Sequence, residues 1–429
     1  LHLMLEASLA EMFPEGHGAL LEQLLDVRDG LRLAVVGGAV RDLLLHRDHR
    51  DPWRGLCDLD LVVEGAPSQA DLHQEAPAQG LVKRLLDRLD PVDVAFCHVH
   101  GRFGTVELEC AGLLLDIASA RSECYPVPAE NPSVAFGKLE DDLARRDFTI
   151  NAMALVLDAQ GGQMLDPHGG RQDLADRQLR LLHDRSLRDD PTRLVRGARY
   201  AARLGFNLEA SSLSQAQQTL SAWPWPWSFG DAPELAPPAL GTRLRMELEL
   251  LLEREPWEQA LSLLQRWGGL KLLDPVLQDE PGLLRGVRRA ERLGLTRLVA
   301  LVAMAAEPVA LAQRLQLPHQ QQRLLHNYQQ FAQRLGQLDL LSIKAWSPAV
   351  WTAWIESSPQ VELVVALALA VSSAHRRPLL HWWFRWRHLR AEVTAHDLLR
   401  QGWTPGPALG EKLRELRAER LDQQRWISR

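Results

Sequence analysis

Two aspartates one residue apart, Asp58 and Asp60, are the clearest candidates for chemistry in this chain. On a strand, residues i and i+2 leave the same face with roughly 6 to 7 Å between their Cα atoms. Carboxylates so placed repel unless a divalent cation neutralises them, and Mg²⁺ favours carboxylate oxygens together with substrate phosphate oxygens. The chemistry this serves is in-line phosphoryl transfer, where one ion lowers the pKa of an attacking hydroxyl and another holds the leaving pyrophosphate. Asp-x-Asp alone also fits the solvated face of an edge strand, so context decides. Upstream, Gly37-Gly38 lets backbone N–H groups approach an anion, and the helix that follows presents its positive end with Arg41 in its first turn. Asp116, in Leu115-Asp116-Ile117-Ala118, and Glu107 are further carboxylate candidates. Asp116 either completes the metal site from an adjacent strand or caps a strand end.

A second constellation suits base recognition. The run Asp189-Asp190-Pro191-Thr192-Arg193-Leu194-Val195-Arg196-Gly197-Ala198-Arg199 predicts a helix with Asp190 as N-cap and Pro191 at the first helical position. Arg193, Arg196 and Arg199 recur at every third position, a stripe of like charge against which an anion should lie. A carboxylate accepts hydrogen bonds and a guanidinium only donates. Asp190 and Arg193 together therefore match a base edge with an exocyclic amine beside a ring-nitrogen acceptor, as in cytosine and adenine. Guanine and uracil present the opposite order and leave buried groups unpaired, at about 1 to 3 kcal/mol each. In Arg145-Arg146-Asp147-Phe148-Thr149-Ile150-Asn151-Ala152-Met153, Arg146 suits a phosphate and Asp147 a ribose hydroxyl, although the pattern alone reads as a surface-to-core junction.

The elements that must position these residues are legible too. Leu33 to Val36, then Gly37-Gly38, then Ala39 to Leu45 reads strand, turn, helix. Cys57 to Val63 alternates at its start as a half-buried strand does, and further strands are expected at 92 to 98, 104 to 109 and 112 to 118. This front section reads as a small mixed sheet with helices packed on it. From Leu139 helical patterns dominate, interrupted at 222 to 238 by a Trp- and Pro-rich stretch whose prolines exclude a helix interior. The back half reads as all-α.

Composition bounds the rest. At 429 residues and 46% apolar, the chain is too long for one core and too hydrophobic for disorder. Its longest apolar runs, Leu298 to Ala306 and Leu363 to Val371, fall well short of the roughly 20 residues a bilayer needs, so no membrane partner is expected. Four cysteines without a CxxC pair, and no visible signal peptide, point to a reducing cytoplasm. The net charge of -6 hides a division. Residues 1 to 281 carry 28 basic against 44 acidic side chains, and residues 282 to 429 carry 21 against 11. A basic C-terminal region suggests a polyanionic partner.

Five segments in register resemble the class II tRNA nucleotidyltransferases and bacterial poly(A) polymerases of the polymerase-β-like superfamily. They are Val36-Gly37-Gly38-Ala39-Val40-Arg41-Asp42, Asp58-Leu59-Asp60, Arg145 to Met153, Asp166-Pro167-His168-Gly169-Gly170, and Asp190-Pro191-Thr192-Arg193-Leu194-Val195-Arg196. The resemblance covers residues 31 to about 206 closely and thins beyond. It implies an α+β N-terminal nucleotidyltransferase head followed by an all-α neck, body and tail. The expected division is a helical lead-in at 1–30, head at 31–160, neck at 161–221, the Trp/Pro insertion at 222–238, body at 239–290 and a basic, tRNA-binding tail at 291–429. It also implies metal binding by Asp58 and Asp60, nucleotide contact by Gly37, Gly38, Arg41, Arg146, Asp147, Arg196 and Arg199, and base selection by Asp190 and Arg193. Asp189 stands where the family usually has Glu.

The implied reaction is addition of the 3′-terminal CCA to tRNA from CTP and ATP, with Mg²⁺ as cofactor. The segment Arg121 to Asp142, which in this family includes a flexible element needed for the final A, is undeleted, which disfavours a CC-only enzyme. An A-adding enzyme and a poly(A) polymerase share the same site, and a catalytically dead RNA-binding protein is the remaining reading. Trp382, Trp383 and Trp386 suit packing more than base stacking.

Overall fold

In the computed structural model the period-two stretches of the front become strands and the 3.6-residue periodicity of the back becomes helices. The structure describes residues 13, 17–53, 55, 58–65, 76–100, 104–158, 161–339 and 342–424. Cys57, the expected start of the Asp58–Asp60 strand, and most of the segment before His17 lie outside these residues. The chain forms two compact units, Leu1–Pro226 and Trp227–Arg429. Their boundary falls within the Trp/Pro-rich stretch.

The first unit begins with α1 (His17–Asp26), β1 (Arg32–Val36), α2 (Gly38–His49), β2 (Leu59–Glu64) and α3 (Pro77–Leu86). The strands β3 (Val94–His100), β4 (Thr105–Cys110) and β5 (Leu113–Ser119) follow, then the two-stranded hairpin β6 (Arg121–Cys124) and β7 (Ser133–Phe136). After α4 (Leu139–Ala144) come β8 (Ala154–Asp158), β9 (Gly161–Leu165) and α5 (Gly170–Ala175). A seven-stranded sheet runs β3-β4-β5-β2-β1-β8-β9, so it continues past residue 160 to Leu165. Every described pairing in it is antiparallel except β2 with β5.

Period two decides what the central strands present. On β2, Leu59, Leu61 and Val63 are buried with Leu81, Val82 and Leu85 of α3, which packs on β2, β4 and β5. Burial of each such side chain stabilises by about 1.5 to 3 kcal/mol, which holds the strand in register. The alternate residues, Asp60 and Val62, then have no choice but the opposite face. The same holds on β5, where Leu115, Ile117 and Ser119 are buried and Asp116 and Ala118 alternate with them. Val36, Val62, Ala120, Leu139, Leu143 and Ala152 form an apolar cluster beneath that second face. The unit ends with α6 (Ser186–Asp189), α7 (Thr192–Leu204) and α8 (Ala210–Ala222).

The second unit is helical throughout its described residues, with no strand among them. Its apolar run at 363 to 371 lies in a helix, Val361–Val371, whose residues Val364 to Ala370 are all buried. That helix packs against Leu283–Arg292, whose Gly286 leaves room for Met304: a Cβ there would meet Met304 Sδ at 2.9 Å. No single helix among the described residues is long and apolar enough to cross a membrane. Trp382 and Trp386 are buried, and Trp383 carries the Arg387 guanidinium 4.0 Å from its ring centre, so this cluster packs as expected.

Candidate active site

A cleft of about 500 Å³ opens in the first unit, and most of the expected residues meet in it. Gly37, Gly38, Asp60, Asp116, Arg146, Asp147, Asp190, Arg193 and Arg196 line its walls, with Asn151 and Tyr200 among them. Asp58, Arg41 and Arg199 do not.

The carboxylate end is built by strand register. Parallel pairing sets Asp60 directly beside Asp116, and antiparallel pairing sets Asp116 beside Glu107. Asp116 is therefore part of this cluster and not a strand-end cap. Asp58 is exposed just before β2, yet its charge acts on both Asp60 and Asp116. Burial pushes the Asp60 carboxyl up to about 6, with the Asp58, Asp116 and Asp142 charges adding and Arg146 opposing. Asp116 is raised as well, by burial and by Glu107 and Asp58, with His100 opposing. Such crowding of like charge is what a cation relieves.

The anion end lies next to it. Gly37 turns with φ 71°, and a Cβ there would come within 3.0 Å of Arg146 Nη1 and 3.1 Å of Asp60 Oδ2. Glycine at this position lets a guanidinium and a carboxylate converge over the start of α2. Arg146 also donates to Asp142 Oδ2 at 3.0 Å, while Arg145 donates to Asp142 Oδ1 at 2.8 Å and to Glu123 Oε1 at 3.0 Å. Asp142 is fully buried, so it fixes both arginines. Sequence reading missed Asp142; its place four residues before Arg146, in the acidic first turn of α4, was the available signal.

Arg41 departs from expectation. Its guanidinium is buried, donates to Asp42 at 2.8 Å and 3.0 Å and to Asn151 Oδ1 at 2.9 Å, and stacks over Tyr200. A cation with these partners supports the wall from behind; its neighbour Asp42, directly after it in sequence, captures it before a phosphate does.

The third wall is α7. It starts at Thr192, one residue later than the capping pattern predicts, and Asp190 accepts from the Thr192 amide at 3.0 Å and hydroxyl at 2.6 Å. Asp190 thus both starts the helix and lines the cleft. Arg193 donates through Nη2 to the Arg145 carbonyl at 2.9 Å, while its buried Nη1 has no hydrogen-bond partner among the described residues. Arg196 meets Asp147 Oδ2 at 3.4 Å, so the anion against the arginine face is first of all an internal one. Burial works against the Asp147 charge, but Arg196, Asn151, Arg193 and the Phe148 amide together hold its carboxyl below the usual range. Gly197 makes this approach feasible, because a Cβ there would meet Phe148 Cζ at 2.8 Å. The arginine stripe also turns out narrower than its spacing suggests. Steps of three drift around a 3.6-residue helix, so Arg193, Arg196 and Tyr200 face the cleft, and Arg199 is buried away from it.

Residues 33–180 match the family model described as the poly A polymerase head domain. Over 302 residues the chain is 37% identical to the CC-adding tRNA nucleotidyltransferase of Deinococcus radiodurans, a match covering 68% of this chain and 69% of that protein. The chain belongs to the tRNA nucleotidyltransferase family. It is also 34% identical over 249 residues to the A-adding tRNA nucleotidyltransferase of Aquifex aeolicus, 58% of this chain and only 26% of that relative's length. A solved CCA-adding enzyme superposes with a TM-score of 0.70 at 24% identity, over 97% of this chain and 95% of that one, which establishes a shared fold.

Nucleotidyltransferases of this family use divalent metal ions. Among the described residues no three His, Cys, Asp or Glu side chains converge as a ready-made cage. Two carboxylates are nevertheless a fitting donor set for a small hard cation, because such ions complete their shell with water and substrate phosphate oxygens. Asp60, raised by burial and by the charges of Asp58 and Asp116, and Asp116, raised by burial and by Glu107 and Asp58, are the carboxylates that such an ion would relieve.

Proposed function

We propose that this tRNA nucleotidyltransferase adds the 3′-terminal CMP, CMP and AMP to tRNA from CTP and ATP, with Mg²⁺ held by Asp58 and Asp60 and with Asp116 as the third carboxylate. The observation that supports the reading is that Asp60 and Asp116 line the same cleft as Asp190 and Arg193, whose buried Nη1 has no hydrogen-bond partner among the described residues. Bound there, the metal supplies an acidified 3′-hydroxyl and charge neutralisation on pyrophosphate. The chain's own residues do the rest. Gly37 and Gly38 present backbone N–H groups and Arg146 a guanidinium to the triphosphate. Asp147 accepts from the sugar, and Arg196 keeps Asp147 ionised for that task. Asp190 accepts the exocyclic amine and Arg193 donates to the ring nitrogen of cytosine or adenine, so a base is chosen without a nucleic-acid template.

The hairpin β6–β7, Arg121–Cys124 with Ser133–Phe136, supports completion with A. It is tied to the nucleotide wall, since Glu123 holds Arg145 and the Arg145 carbonyl holds Arg193. The CC-adding name of the Deinococcus relative favours a second reading, in which synthesis stops after two cytidines. Transcripts ending in the discriminator base, in C and in CC, incubated with each NTP separately and sequenced, decide among these. Addition of two C from CTP alone to the first and of a single A from ATP alone to the last are the expected results. Growth past one A would instead indicate a poly(A) polymerase, and no extension with RNA binding retained a non-catalytic protein. Asp58→Ala should abolish incorporation.

A further inference from the structure

We propose that the Tyr200 hydroxyl binds the ribose 2′-hydroxyl of the incoming nucleotide and selects ribonucleotides over deoxyribonucleotides. The inference rests on the nucleotidyl-transfer reading and assigns a residue that the sequence motifs leave out.

Asp190 and Arg193, which suit a base, line the cleft together with Gly37, Gly38, Asp60 and Arg146, which suit a triphosphate, and with Asp147, Asn151, Arg196 and Tyr200. Asp147, the group that suits a ribose hydroxyl, meets Arg196 of α7 at 3.4 Å, and its charge acts on Tyr200. Tyr200 follows Arg196 by four residues and Arg193 by seven, so one helix face carries all three.

The tyrosine ring is held and its hydroxyl is not. Arg41 lies over the ring at 5.4 Å, Arg203 at 5.9 Å, and Phe148 packs edge-on at 6.0 Å with a 79° interplanar angle. Among the described residues the hydroxyl has no hydrogen-bond partner. Burial pushes its pKa up to about 12, with Asp147 the strongest charge acting in the same direction and Arg196, Arg41 and Arg199 opposing. It therefore keeps its proton and can donate. Asp147 offers the complementary half. Its Oδ1 accepts from the Phe148 amide and Asn151, its Oδ2 from Arg196, and a carboxylate has about four acceptor sites, leaving room for one more donor. A ribose 2′-hydroxyl both donates and accepts, so it can donate to Asp147 while accepting from Tyr200. A 2′-deoxyribose can do neither.

The test compares CTP, 2′-deoxyCTP and 3′-deoxyCTP as substrates of the full chain on a transcript ending in the discriminator base. Tyr200→Phe removes only the hydroxyl. It should lower kcat/KM for CTP about tenfold, as expected for one lost hydrogen bond, and leave 2′-deoxyCTP within twofold of the unmutated protein. An equal loss on both substrates, an unchanged preference, or a change confined to 3′-deoxyCTP would overturn the assignment. If the unmutated chain extends no transcript, the nucleotidyl-transfer reading fails. Calorimetric binding of CTP against 2′-deoxyCTP to both proteins then still decides the role of Tyr200, by the same loss or retention of preference.

Discussion

Replacing Asp60 by Asn should destroy activity and stabilise the fold, and the two effects have one cause. Asp60 sits on a strand whose alternate residues are buried, beside Asp116 and within the field of Asp58. Its carboxyl is raised from 3.8 to about 6, so the native state prefers it neutral. For a raised carboxyl the penalty is absent below the unfolded value, grows between the two values and is complete above the folded one. At 1.36 kcal/mol per pH unit the gap corresponds to about 3 kcal/mol, and about 2 kcal/mol is a fair expectation once screening at the open cleft is allowed for. Asparagine keeps the shape and removes the charge. Urea denaturation in EDTA at pH 7.5 should therefore show Asp60→Asn more stable than the unmutated chain by about 2 kcal/mol. The difference should shrink steeply from about pH 6 to about pH 4 and vanish only below about pH 3, where Asp60 is protonated in both states. Added Mg²⁺ with CTP should reverse the order, because only the carboxylate gains a ligand. A variant less stable than its parent at pH 7.5 without metal, or a difference that does not shrink on acidification, would refute the reasoning.

Three further outcomes follow from the same geometry. Arg193→Ala should raise misincorporation of GTP and UTP at least tenfold, reflecting about 1 to 3 kcal/mol of lost discrimination, while transcript binding measured by filter retention stays within twofold; equal loss of both would reject the base-selecting role. Asp142→Ala leaves the Arg145 and Arg146 guanidiniums without their shared buried acceptor and should cost about 3 to 5 kcal/mol in urea denaturation, against a near-neutral result if the pairs are incidental. Gly37→Ala places a Cβ at φ 71° and 3.0 Å from Arg146; kcat for CTP addition should fall at least a hundredfold with little change in transcript affinity, and near-normal turnover would mean that the close approach is not used.

Much of this protein is written in local sequence. The strand Leu59 to Glu64 and its Asp60 follow from period-two alternation, which needs no knowledge of the neighbours, whereas Asp58, expected on the same strand, lies exposed just before it. Gly37-Gly38 before a helix and Asp190-Pro191 at another are backbone rules, and both fall in place, the second shifted by one residue. The all-α second unit follows from helical spacing alone. Local spacing could not say which side chains are already taken. Arg41 has the motif position of a phosphate ligand, but Asp42 and Asn151, the latter 110 residues away, capture it. Asp116 joins Asp60 only because β2 and β5 pair in parallel, a register set by burial on the far face. Tyr200, to which the sequence motifs gave no role, lines the cleft and Arg199 does not, because the helix turns 3.6 residues per turn and packs, through Gly197, on Phe148. The sequence alone determined the chemistry carried by each segment, since backbone preference and side-chain type are local properties. Which groups share the cleft and which are neutralised on the way depended on contacts between segments distant in the chain, and only the tertiary structure decided that.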